Sequence, residues 1–91
     1  MKAKIRAIDL IEKTQVEVEV SIHKDGDPAR ELNRLVYNST IRQKIIKGLK
    51  LFCGEAFVEL ISYDRVIAEG IMRNSVFGGG NITTKNCSRA A

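Results

Sequence analysis

Tryptophan is absent, proline and histidine occur once each, cysteine twice, and two Tyr with three Phe supply all the aromatic rings. Each scarcity excludes something. With so few rings, a core has to be built from Ile, Val and Leu. One histidine and no Cys-x-x-C pair leave too few ligands for a zinc site, and no metal is expected. Cys53 and Cys87 are too sparse to form a disulfide framework. No apolar run approaches the length of a membrane span. The start, Met1-Lys2-Ala3-Lys4-Ile5-Arg6, lacks the apolar stretch of a signal peptide, so the expected location is cytoplasmic, without membrane contact.

Catalytic chemistry is equally poorly provided for. His23 lies beside Lys24 in a turn, and no nucleophile, base and orienting group recur at a useful spacing. Glu17, Glu19, Glu59 and Glu69 sit in strand patterns and read as exposed partners of lysine and arginine. Asp25-Gly26-Asp27 lacks the further ligands of a calcium loop and reads as a turn followed by a helix cap. The expectation is a non-enzymatic protein without a cofactor.

What is present is a globular composition, 44% hydrophobic and 29% charged over 91 residues, with a net charge of +4 and a pI near 9.3. That length suits one domain, 1–91, with 86–91 as a flexible tail. Its core is small enough that self-association into at least a dimer is expected. The basic balance favours an anionic partner.

Strand alternation is clearest where Val16, Val18, Val20 and Ile22 interleave with Gln15, Glu17, Glu19 and Ser21. Upstream, Ala3, Ile5 and Ala7 alternate with Lys2, Lys4 and Arg6. The phase then flips at Ile8 and Leu10, as a β-bulge would cause. The two segments form a hairpin that sets the basic stripe across from Glu17 and Glu19. Asp27 caps a helix with Pro28 in its first turn, and Ala29, Leu32, Leu35 and Val36 repeat at helical spacing. Thr40 and Gln43 suggest a capping box for a second helix carrying Ile41, Ile45, Leu49, Phe52 and Cys53 and ending at Gly54. A single bent helix over 28–53 fits nearly as well. Two more strands flank a turn at Asp64-Arg65.

The fold class expected is therefore α+β: an antiparallel sheet of four or five strands in β-β-α-α-β-β order, with one helical layer on one face. Val16, Val18, Val20, Leu32, Leu35, Ile41, Ile45, Leu49 and Phe52 are the expected core.

Two segments suggest binding. Arg73, Asn74, Phe77, Gly78, Gly79, Gly80, Asn81, Thr83, Thr84 and Lys85 combine a glycine triplet with amides, hydroxyls and cations. Residues without a Cβ let a ligand approach the main chain, and successive N–H groups can cradle an oxyanion. No phosphate-loop or dinucleotide motif is matched there. The leading expectation is a small binding protein for an anionic, nucleotide-like ligand, in a sequestering or inhibitory accessory role such as phages and mobile elements employ. The second segment is the cation row Arg42, Lys44, Lys47 and Lys50, which has no acid between Thr40 and Gly54. It could track nucleic-acid phosphates, although no stacking aromatics interleave with it. A third alternative is a subunit that contacts only protein.

Overall fold

The computed structural model describes residues 1–51 and 54–74, together with the backbone of 82–86. Five strands and two helices follow in order: β1 (Lys2–Asp9), β2 (Thr14–Ser21), α1 (Pro28–Tyr37), α2 (Ser39–Leu49), β3 (Gly54–Ser62), β4 (Arg65–Asn74) and β5 (Ile82–Asn86). They form one sheet in the order β2-β1-β3-β4-β5, every neighbouring pair antiparallel. The α+β class, the element order and the antiparallel sheet are as the alternation and helical spacing imply. No helix among the described residues is long and apolar enough to cross a membrane.

Since β2 and β3 both run antiparallel to β1, they are parallel to each other, and the chain crosses between them through α1 and α2. The inward residues of the strands are Ile5 and Ala7, Val18, Ala56, Val58 and Leu60, and Ala68 and Met72. They share one cluster with Leu32, Leu35, Val36, Ile45 and Leu49 of the helices, so both helices cover the same sheet face. Of the expected core, Val18, Leu32, Leu35, Ile45 and Leu49 are buried, whereas Val16, Val20 and Ile41 are half-buried at its margin. Phe52 and Cys53 lie outside the described residues, as do 87–91. Asn86, read as the start of a tail, is instead the last residue of β5, paired with Ala68.

The first hairpin needs no bulge. Its register runs unbroken from Lys2↔Ser21 to Asp9↔Thr14. Ile8 departs from the inward pattern because the outer face has an apolar row of its own, Ile8↔Phe57↔Ile71 across three strands. The irregularity lies elsewhere, between Leu60 and Ile61 in the β3–β4 pair. Asp9 organises the β1–β2 loop by accepting the N–H groups of Ile11 at 3.0 Å and Glu12 at 3.3 Å on Oδ1.

The helical crossover is two helices, not one, and its caps differ from the expected ones. Asp27 caps α1 as read, accepting from the Arg30 N–H at 3.4 Å, with Pro28 at the first position. The start of α2 is capped by Asn38, not by a Thr40–Gln43 box. Its backbone is extended (φ −67°, ψ 122°), and its Oδ1 accepts from Thr40 and Ile41 at 3.0 and 3.2 Å. An amide oxygen two residues earlier already satisfies the free donors that such a box would serve. The far end of α2 also comes earlier than Gly54. Lys50 takes the left-handed conformation (φ 55°, ψ 40°), and the Leu51 N–H returns to the Ile46 carbonyl at 3.0 Å. That closes the helix as glycine more commonly does, and Gly54, at φ 135°, instead opens β3.

Candidate anion-binding surface

Between Pro28 and Leu51 the sequence has six cations, Arg30, Arg34, Arg42, Lys44, Lys47 and Lys50, and one acid, Glu31. The fold turns that imbalance into a surface. Ile45 and Leu49 are buried against the sheet, leaving Gln43, Lys44, Lys47 and Lys50 exposed on the opposite side of α2. Lys44, Lys47 and Lys50 form no ion pair among the described residues.

The lone acid is withdrawn from this surface. The Glu31 side chain is 6% exposed. Its Oε1 accepts from the His23 backbone N–H at 2.7 Å and lies 2.5 Å from the His23 ring Nδ1, while Oε2 accepts from Arg34 Nε at 2.8 Å. Burial pushes the carboxyl pKa up, but the His23 N–H, the Arg34 and His23 side chains and the Arg34 charge together outweigh it. The result is a pKa lowered from 4.5 to about 2. Gly26 makes room for this anchor, since a Cβ there would come within 2.8 Å of Oε1. Arg34 also donates to the Ser21 carbonyl, at 3.3 Å. The cluster therefore ties the end of β2 to the first turn of α1. His23 is bound into that anchor, and no group of metal-ligating side chains occurs among the described residues.

α2 packs over β2 and β1 and reaches β4 through one side chain. In its first turn Arg42 Nη2 donates to the carbonyl of Arg73 on β4, at 2.8 Å. In its last turn Gly48 approaches β2 so closely that a Cβ would meet Val16 Cγ2 at 2.6 Å. The cation row thus lies over the β2–β1 side of the sheet, with Arg42 reaching across to β4.

The Arg42–Arg73 bond brings the two segments singled out in the sequence to the same end of the molecule. Asn74 closes β4 beside Gly54, and β5 returns with Thr83, Thr84 and Lys85 paired to Ile71, Gly70 and Glu69. Phe77, Gly78, Gly79, Gly80 and Asn81 lie outside the described residues. Arg73 itself, exposed, donates to Glu55 Oε1 at 3.0 Å, so part of its charge is already engaged. Three residues not singled out in the sequence belong with this surface. Arg30 adds an exposed charge on α1, Arg34 adds one that Glu31 already compensates, and Tyr37, 53% exposed, sets an aromatic ring at the junction of the helices. Counting charge over both helices together, instead of within the second alone, would have found the two arginines.

The opposite sheet face has a different character. Lys4 lies 3.5 Å from Glu17, and Arg6 lies 3.4 Å from Glu59. Both signs occur and are paired locally, in the arrangement expected of β1 against Glu17 and Glu19, with Glu59 as an additional partner. Fold and surface together define the class: a small antiparallel α+β domain with a helical layer of one charge sign. Comparison with protein-family models, curated proteins and solved structures finds no match to the chain.

Proposed function

We propose that this protein is a non-enzymatic nucleic-acid-binding module that seats the sugar–phosphate backbone on α2. What supports the reading is one observation: the outer helical surface carries cations of which Lys44, Lys47 and Lys50 are unpaired among the described residues, and its single acid is buried and internally compensated. Phosphates would replace condensed counterions along this row, and affinity would come from their release. Backbone contacts of this kind carry no sequence information, so binding is expected to be largely indifferent to sequence.

Fluorescence anisotropy with short labelled single-stranded and duplex oligonucleotides tests this. The logarithm of affinity should fall linearly with the logarithm of salt concentration. Charge reversal at Lys44 and Lys47 should weaken binding and lower that slope by about one unit per phosphate contact removed. Salt-independent binding, or full affinity in the reversed variant, would overturn the proposal.

A second reading retains the small anionic ligand at residues 73–85, supported by the bond that sets Arg42 against the base of that segment. It makes a different prediction. Adenine nucleotides should raise the melting temperature with little salt response. Gly79→Val should abolish that rise, because a branched side chain disfavours positive φ and blocks close approach.

A further inference from the structure

The sheet end remote from α2 combines a register shift with a strained hairpin loop. The β3–β4 pair slips register between Leu60 and Ile61, and bulges of this kind re-aim side chains beside binding sites. The hairpin that follows has a two-residue loop, Tyr63-Asp64, with φ 51° and 62°. Such a loop favours Asn-Gly, because both positions need positive φ. Here a tyrosine and an aspartate hold that conformation, and the Tyr63 ring projects 81% exposed. Strained non-glycine residues persist where the surroundings over-determine them, often at ligand sites.

Two open depressions adjoin this corner and share Tyr63. The first, of about 450 Å³, lies over the ends of β2, β1 and β3. Ile61, 4% exposed and outside the main core cluster, forms its apolar floor, and Lys2, Lys4 and Tyr63 stand around it. The second, of about 470 Å³, is bounded by Ser62, Tyr63 and Arg65 together with Met1 and Ile67. Ser62 is 5% exposed, and its Oγ is buried without a hydrogen-bond partner among the described residues. A buried hydroxyl normally has one. The volumes fall in the range of small-molecule sites.

We infer that this corner is a second binding site, independent of the basic helix, for a small aromatic anion. The planar ring would lie over Ile61 against the Tyr63 ring, and the carboxylate group would meet Lys2 and, in exchange for its Glu17 partner at 3.5 Å, Lys4. Apolar floor, aromatic wall and cations together suit that class better than an aliphatic or cationic ligand. Glu19 and Asp64 on the rim add discrimination against dianions and multiply charged polymers.

The test is a titration of the full chain with 2-naphthoate, followed by amide chemical shifts. Saturable shifts are expected at Ile61, Ser62, Tyr63 and Arg65. Tyr63→Asn removes the ring but leaves a residue that tolerates the left-handed region, so the variant should fold at least as stably and bind about fivefold or more weakly. Asp64→Gly relieves the loop, keeps the ring and removes a rim carboxylate, so it should bind the naphthoate at least as tightly as the parent does. Neutral 2-naphthylmethanol should bind about tenfold more weakly, from the loss of a charge-assisted bond. Charge reversal at Lys44 and Lys47 should leave this titration unchanged, which separates the site from the nucleic-acid reading. Absence of saturable shifts at millimolar naphthoate, undiminished binding in Tyr63→Asn, or equal binding of the neutral alcohol would each overturn the inference.

Discussion

The two faces of this sheet manage charge in opposite ways. On the outer face β1 is basic, and its neighbours are acidic. Lys4 meets Glu17 and Arg6 meets Glu59 within 3.5 Å, so the field of that face largely cancels at short range. On the helical side one acid serves six cations, and it is buried at the first turn of α1 instead of being shared among them. Alternating strands bring opposite charges opposite each other through register. A helix spreads its charges around a cylinder, so a row lacking acids three or four positions away stays uncompensated. Locally cancelled charge adds little beyond solubility, whereas a one-signed row projects a potential that a polyanion can sense.

The contrast can be broken most strongly through the core. Leu49, 3% exposed, fastens the cationic helix to the sheet, and Leu49→Ala should cost about 2–5 kcal/mol in chemical denaturation. The same truncation of Ile71, 37% exposed on the other face, should cost less, about 1 kcal/mol, because more than a third of its surface is already wet and neither helix covers that face. Near-equal losses would show that the outer face is as enclosed as the core.

Glu31→Gln comes next, at about 1–3 kcal/mol, since it withdraws the charge that holds the His23 and Arg34 donors. Its pH signature sharpens the point. The folded-state pKa is lowered to about 2 from 4.5, so the stabilisation is fully present above about pH 4.5 and is lost as pH falls toward 2. Thermal melts should show the parent losing its advantage over the Gln variant across that window. A constant difference between them would remove the anchor assigned to this carboxylate.

Gly48→Ala is a closer contest. Alanine favours a helix interior by about 1 kcal/mol, yet the new Cβ would sit 2.6 Å from a branched Val16 methyl. Forcing that contact costs about 1–3 kcal/mol, so a net loss near 1 kcal/mol is expected, and pairing the change with Val16→Ala should recover part of it. The smallest effect belongs to the outer face. Lys4→Ala should change stability by no more than about 1 kcal/mol, because the Lys4–Glu17 pair is well exposed to solvent.

Much of this architecture was legible one element at a time. Val16, Val18 and Val20 announce a strand at spacing two, Asp27-Pro28 starts a helix by supplying an acceptor and omitting a donor, and Leu32, Leu35, Ile45 and Leu49 mark inward helix faces. Caps were less legible where two sequences could do the same work. Asn38 and Thr40 can both offer an oxygen to a helix start, and the chain uses the one whose backbone is extended. Ile8 misled because alternation identifies an apolar residue without saying which of two faces needs it. The basic row on α2 was visible as composition, but its solvation depended on Ile45 and Leu49 facing the sheet.

The sequence by itself determined the element order, the apolar stripes and the excess of positive charge. These follow from backbone geometry within a few residues, where spacing alone says which side chains share a face. Only the tertiary structure decided that Arg42 meets the Arg73 carbonyl, that Glu31 is the anchor between β2 and α1, and that Ile61 joins Lys4 beneath the Tyr63 corner. Those contacts join residues far apart in the chain. They exist because β3 inserts beside β1, and strand pairing is selected by burial of the whole sheet face, a condition that no local window of sequence contains.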